Sequence, residues 1–209
     1  VEVDIVPIKY INTDYAEYRP KLNAEENIMY FTSKRPGGSS DILDDQGEYY
    51  EDIYISKKKM GVWTEPQLVN DLINTTESSS CLYLSPDGEH MFLSMVNNDQ
   101  KLGHLGRGIY EARLDGNHWN NPEFLDQKVN SKYWETYASL DIYGNVLFFV
   151  SDREGGYGGR DIWMIKKLPS GEWAEPQNLG EPINTEYDEE SPYLHPDGKT
   201  LYFSSKGHK

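Results

Sequence analysis

The feature that most restricts how this chain can fold is a repeat. Ile11-Asn12-Thr13, Ile73-Asn74-Thr75, Val129-Asn130-Ser131 and Ile183-Asn184-Thr185 recur along 209 residues at intervals of 62, 56 and 54. Self-similarity of this length belongs to solenoids, propellers and arrays. After each triplet comes a short run of aliphatic and aromatic residues: Ile28-Met29-Tyr30-Phe31, Met91-Phe92-Leu93, Val146-Leu147-Phe148-Phe149 and Leu201-Tyr202-Phe203. Each run is preceded by a reversal signal, Pro86-Asp87-Gly88, Tyr143-Gly144-Asn145 or Pro196-Asp197-Gly198, with Glu26-Asn27 in the first unit. Glycine and asparagine accept positive φ, so two strands can pair across these turns.

A third stretch follows as Asp52-Ile53-Tyr54, Gly108-Ile109-Tyr110 and Asp161-Ile162-Trp163. Then come a second glycine turn (Gly61, Gly116, Gly171), a tryptophan (Trp63, Trp119, Trp173) and, three residues on, a proline (Pro66, Pro122, Pro176). Proline cannot donate to a ladder, which places these prolines on an outer edge strand. Each unit therefore reads as four strands, a to d. No 11-residue window has clean helical periodicity free of Gly or Pro. The inner strands are apolar at successive positions, as expected of sheets covered on both faces.

The expectation is an all-β chain, a β-propeller of four-stranded antiparallel blades with about three and a half blades present. It is a single partial domain over 1–209: an outer strand at 1–10, blades at 11–72, 73–128 and 129–182, and an incomplete blade at 183–209. A closed ring needs its last blade completed, so the chain is expected to be a piece of a larger five- or six-bladed propeller. A four-bladed ring closed by Val1 to Ile8 would lack one strand.

Ser85 to Gly88, Leu201 to Ser205 and Asp52-Ile53-Tyr54 resemble the hallmarks of TolB-type, WD-repeat-like propellers: a Ser-Pro-Asp-Gly turn, a Leu-Tyr-Phe-Ser strand and an Asp-Ile-Tyr strand. The resemblance covers essentially the whole chain. More narrowly, Ser151 to Ile162 and Tyr202 to His208 are similar to the propeller of OmpA-family periplasmic lipoproteins of the PorE type, from the type IX secretion machinery. That subgroup implies a periplasmic, outer-membrane-associated scaffold that binds protein partners of the cell envelope. It also implies peptidoglycan binding through a domain not present in this chain, so no peptidoglycan-binding residue carries over. Unit two departs from the pattern, with Gly108 in place of the aspartates at 52 and 161, and Met95 where Ser33, Ser151 and Ser205 align.

Charge narrows the function classes. Twenty basic against thirty-five acidic side chains give a net charge of −15, a field that repels the phosphate backbone and disfavours a nucleic-acid partner. The longest apolar run, Val146 to Val150, is far short of the ~18 residues of a membrane-crossing helix. Cys81 is the only cysteine, which excludes an intrachain disulfide and a cysteine-rich zinc site.

Acidic residues recur between units, at Asp14 and Glu17, Glu77, Glu135, then Asp188, Glu189 and Glu190. If the d-to-a connections gather around a central channel, these carboxylates either form a docking face for a basic partner segment or hydrogen-bond loop amides and staple the blades. As partner-binding candidates they are Asp14, Glu17, Glu77, Glu135, Asp188 and Glu189. Asp41, Asp44, Asp45, Glu48, Glu51 and Asp52 crowd the long b-to-c connection of unit one. Oxygen-rich loops suit calcium, but the spacing is not that of a regular Asp-x-Asp-x-Asp-Gly loop, and a solvated insertion is the stronger reading. Gly155 to Gly159 leads into a strand and reads as a turn, not a phosphate cradle. The five histidines, His90, His104, His118, His195 and His208, show no ligand spacing, and no metal, cofactor or catalytic residue is assigned. Two function classes remain: a non-catalytic scaffold, and a glycan-processing or glycan-binding propeller of the sialidase kind. Against the second, Asp87-Gly88 and Asp197-Gly198 are adjacent where an Asp-box separates the two residues by one.

Overall fold

The computed structural model describes residues 4–97 and 106–208. All regular elements among them are strands. The first blade contains β1 (Glu17–Leu22), β2 (Ile28–Ser33), β3 (Asp52–Lys59), β4 (Val62–Trp63) and β5 (Gln67–Leu68). The second contains β6 (Ser79–Leu84), β7 (His90–Asn97), β8 (Gly106–Asp115), β9 (His118–Trp119) and β10 (Glu123–Phe124). The third contains β11 (Glu135–Leu140), β12 (Val146–Ser151), β13 (Asp161–Lys166) and β14 (Gln177–Asn178). A two-stranded fourth sheet pairs β15 (Glu189–Leu194) with β16 (Leu201–Ser205). All pairings are antiparallel.

The outer strand of each complete blade is split. β4 and β5 both pair with β3, and Thr64 to Pro66 lie between them; β9 and β10 flank Asn120 to Pro122 in the same way. In the third blade a single Lys167–Trp173 bridge stands where β4 and β9 stand in the others. Proline, lacking an N–H, interrupts the ladder at the edge where that loss is least costly.

The core lies between blades. Tyr30 and Ile53 of blade one meet Ile73, Cys81, Met91 and Leu93 of blade two. Phe92 and Ile109 of blade two meet Val129, Leu147, Phe149 and Trp173 of blade three. Consecutive residues of β2 and β12 are buried because each of these sheets has apolar residues packed on both faces. β16 has a similar apolar composition, yet its exposure alternates, because only the face toward blade three is covered. Two tryptophans tie neighbours together. Trp119 of blade two donates its indole N–H to Tyr30 of blade one at 3.3 Å, and buried Trp173 packs in the cluster shared by blades two and three.

The recurring asparagine explains why the triplets repeat. Asn74 Oδ1 accepts from Ile53 N, and its Nδ2 donates to the carbonyls of Ile53 and Val69. Asn130 clamps Ile109 and Leu125 identically, and Asn184 clamps Ile162. Each clamp satisfies the N–H of its strand c residue and adds a second donor to that residue's carbonyl, which also accepts from Val69, Leu125 or Leu179 N at the end of the outer strand. Asn12 is exposed and accepts only the amide of Ile8, four residues away.

The outer strand expected over residues 1–10 is not formed among described residues 4–10, which are coil leading into a turn. An edge strand needs a strand c to pair with. Among the described residues the two strands of the fourth sheet pair only with each other.

Candidate functional site

Strand a of every blade faces the axis, and its first residue in three blades is a glutamate at the same station. Glu135 is fully buried. It accepts from Ser131 N and Oγ (2.9 and 2.6 Å), Ser151 Oγ (2.9 Å) and Arg153 Nη2 (3.1 Å). Arg153 spans onward to the carbonyls of Lys128 and Val129 and lies over Phe149 and Trp163. Glu17 repeats the arrangement with Thr13, Ser33 and Arg35. Glu189 repeats it with Thr185 and Ser205, while His208 replaces the arginine and approaches the carbonyl of Pro182 at 2.7 Å. Burial opposes the charge of Glu17, but the hydroxyl and amide of Thr13, the hydroxyl of Ser33 and the charge of Arg35 together hold its carboxyl below the ordinary value.

These carboxylates are staples, so a partner does not reach Glu135 or Glu189, both fully buried, and reaches little of Glu17. Glu77 does not belong to the set. Its station is held by Ser79, whose buried hydroxyl has no hydrogen-bond partner among the described residues. Glu77 itself is half-buried, and Asp14 is exposed. Asp188 is occupied by Arg160 (3.0 Å) and Lys206 (2.7 Å), which hold its carboxyl far below the usual range. The six expected docking residues are thus spread between buried staples, one ion-pair cluster and the surface.

The b-to-c connections seal each blade against the next. Gly158 packs so closely on the connection leading to β15 that a Cβ there would lie 2.4 Å from the carbonyl oxygen of Thr185. Ser39 Oγ makes the equivalent contact with the carbonyl of Thr75. Ser79 N and Glu189 N donate to the carbonyls of Glu51 and Arg160 in the preceding blade, both at 2.7 Å. Ser39 also donates its N–H to Asp52, and its one hydroxyl proton lies between that carboxylate and the Thr75 carbonyl. Tyr157 stands at that place in blade three and offers Asp161 only its N–H, leaving Asp161 Oδ1 without a partner.

The acids of the long b-to-c connection diverge. Asp44 closes its own turn with Gln46 and Glu48, Glu48 pairs with Lys34, and Glu51 pairs with Arg107 and Tyr18. Among the described residues no three His, Cys, Asp or Glu side chains gather to hold a metal ion. His104 lies outside the described residues.

The channel carries charge that repeat spacing did not reveal. Arg19 lies at a bulge of β1, with φ of 53°. Its guanidinium reaches Ser80 Oγ of blade two at 2.8 Å and stacks over Tyr137 of blade three at 4.6 Å. Tyr137 and Ser191 occupy corresponding bulges with φ of 51° and 55°. Toward the a-to-b turns the channel widens into a cavity of about 610 Å³. All four innermost strands line it, through Pro20 and Lys21, Leu82 and Tyr83, Ser139, and Tyr193. Lys21 is half-buried, and burial lowers the pKa of its ammonium. It makes no ion pair or hydrogen bond among the described residues.

No protein-family model matches the chain, and no curated protein sequence matches it. Solved structures do. TolB from Acinetobacter baumannii is similar over 95% of this chain at 15% identity, with a TM-score of 0.61. A putative TolB from Agrobacterium tumefaciens is similar over 92% at 14% identity, with a TM-score of 0.53. An alpha-L-arabinofuranosidase from Lactobacillus brevis is similar over 92% at 12% identity, with a TM-score of 0.57. The chain spans 40%, 71% and 66% of those three chains. At these identities the likeness is one of fold: the chain has the TolB-like β-propeller fold.

Proposed function

We propose that this chain is a non-catalytic docking module: part of a periplasmic, outer-membrane-associated scaffold of the OmpA family that serves the type IX secretion system and binds other proteins of the cell envelope. The observation that carries the reading is the fate of the recurrent charged residues. Glu17, Glu135 and Glu189 are each spent on hydroxyl and backbone donors of the fold. Arg35 and Arg153 bond to them, Arg107 to Glu51, Arg113 to Glu111, and Arg160 to Asp188 and Glu190. A glycosidase needs two free carboxyls flanking a bond, and a sialidase needs converging arginines. The repeated groups here serve neither purpose. Contact with peptidoglycan, on this reading, belongs to a domain other than this propeller.

A glycan-acting reading has one observation in its favour, the fold similarity to the arabinofuranosidase. Propellers host unrelated chemistries, so fold alone does not choose between the two. The test is paired. The complete envelope protein, cross-linked in cells, is expected to retain a defined partner that is lost when residues 1–209 are deleted. The purified protein is expected to release no chromophore from nitrophenyl arabinofuranoside or sialoside. Turnover that disappears on an arginine substitution in this chain would reverse the assignment.

A further inference from the structure

We infer that the channel cavity at the a-to-b end receives an acidic peptide: an Asp or Glu side chain, flanked by apolar residues, whose carboxylate pairs with Lys21. The inference rests on the docking reading and names the chemistry of the partner. The protein carries a net charge of −15, yet the two charged residues of β1 that face the channel with no ion pair among the described residues, Arg19 and Lys21, are positive. Lys21 lines the cavity with no carboxylate beside it, and Arg19, two residues away, is held by a hydroxyl and aromatic rings and by no acid. Of the acids near the cavity, two, Asp87 and Asp141, are committed to their own turns, and the third, Glu26, lines it from the exposed a-to-b turn of blade one and does not pair with Lys21.

The walls select the rest of the ligand. Pro20 and Pro192 stand in the innermost strands and have no N–H to offer, and the leucines of β6, β11 and β15 add apolar surface. The polar side chains Asn23 and Ser139 are already bonded within the fold. Lys21 is left with the hydroxyls of Tyr83 and Tyr193 as donors. That is enough for one carboxylate, and too sparse for a phosphate, which takes several charge-assisted bonds. A cation partly withdrawn from water gains most from a counter-ion that restores what burial removed.

The probe is a phage-displayed heptapeptide library panned on the full chain, followed by fluorescence titration of the selected peptides. The expected result is enrichment of Asp or Glu between apolar residues. Replacing that residue by Asn or Gln is expected to weaken binding about ten- to a hundredfold, as loss of a charged hydrogen bond does. Lys21→Met should abolish the acidic preference, and Lys21→Arg should retain it, with unchanged circular dichroism confirming that both fold. Enrichment of neutral or basic peptides, or acidic clones indifferent to Lys21→Met, would overturn the inference while leaving the docking reading intact. A library that yields no binder would count against both.

Discussion

Glu135 shows what a single side chain contributes to this architecture. Its carboxylate joins the d-to-a connection, the end of β12 and the guanidinium of Arg153 in one buried cluster. Removing the acid alone strands a guanidinium that is itself largely buried. Glu135→Leu is expected to cost about 3–5 kcal/mol of stability in urea unfolding. Glu135→Leu combined with Arg153→Met should recover most of that loss, since an apolar pair of similar volume avoids burying any charge. Blade two lacks the acid altogether, with Ser79 at its station and Met95 opposite it where blade three has Ser151. A loss below about 1 kcal/mol for the single substitution would show that solvent reaches the cluster. The set was legible in outline, because acids recur near the triplets. Its membership was not, since Glu77 looks equivalent by charge alone. The usable signal was spacing: a glutamate four residues after Thr13, Ser131 and Thr185, and Ser79 four after Thr75.

Between elements, the pairing of β7 with β8 brings His90 Nε2 to 3.0 Å from Glu111 Oε1. The approach of His90 pulls the Glu111 carboxyl down to about 2 against the effect of burial, and the charges of Arg113 and Lys167 add to it. The contact is short but poorly aligned, leaving Nε2 without a well-formed hydrogen bond, so the shift is a ceiling on what the pair contributes. A carboxyl whose folded pKa lies below its unfolded value stabilises at pH above about 4.5, and that stability is lost as pH falls toward 2. The loss is at most roughly 3 kcal/mol across that window. Glu111→Gln should flatten the corresponding limb of the stability-against-pH curve from chemical denaturation. An unchanged slope between those two pH values would show that other carboxyls set it. At this scale the sequence patterns located the four hairpins and the three c strands well, because short apolar runs, turn residues and β-branching all act locally. They did not foresee that Pro66 and Pro122 would split the outer strand, nor that residues 4–10 would remain coil. Both outcomes depend on which edge a neighbouring strand occupies.

For the molecule as a whole, stability is set by how many faces of a sheet are covered. Triplet repeats, turns and tryptophans were enough to read wedge-shaped blades from the sequence. The channel was not readable, since Arg19 and Tyr137 are 118 positions apart and meet only because their blades stand across an axis. The same geometry makes the sheets unequal. β2 and β12 lie inside blades with a strand on each side and side chains packed on both faces, whereas β16 pairs on one edge and leaves Tyr202 58% exposed. Local opening is governed by the buried contacts and hydrogen bonds it must break. Amides of β15 and β16 are therefore expected to exchange on the order of 100-fold faster than those of β12 in this 209-residue chain, a difference of about 3 kcal/mol in opening free energy. Hydrogen-exchange mass spectrometry resolves this directly. The slower set should include β7, whose hairpin is flanked by both inter-blade cores. Equal protection of β16 and β12 would require another chain to occupy the free edge, and dilution would then restore the difference.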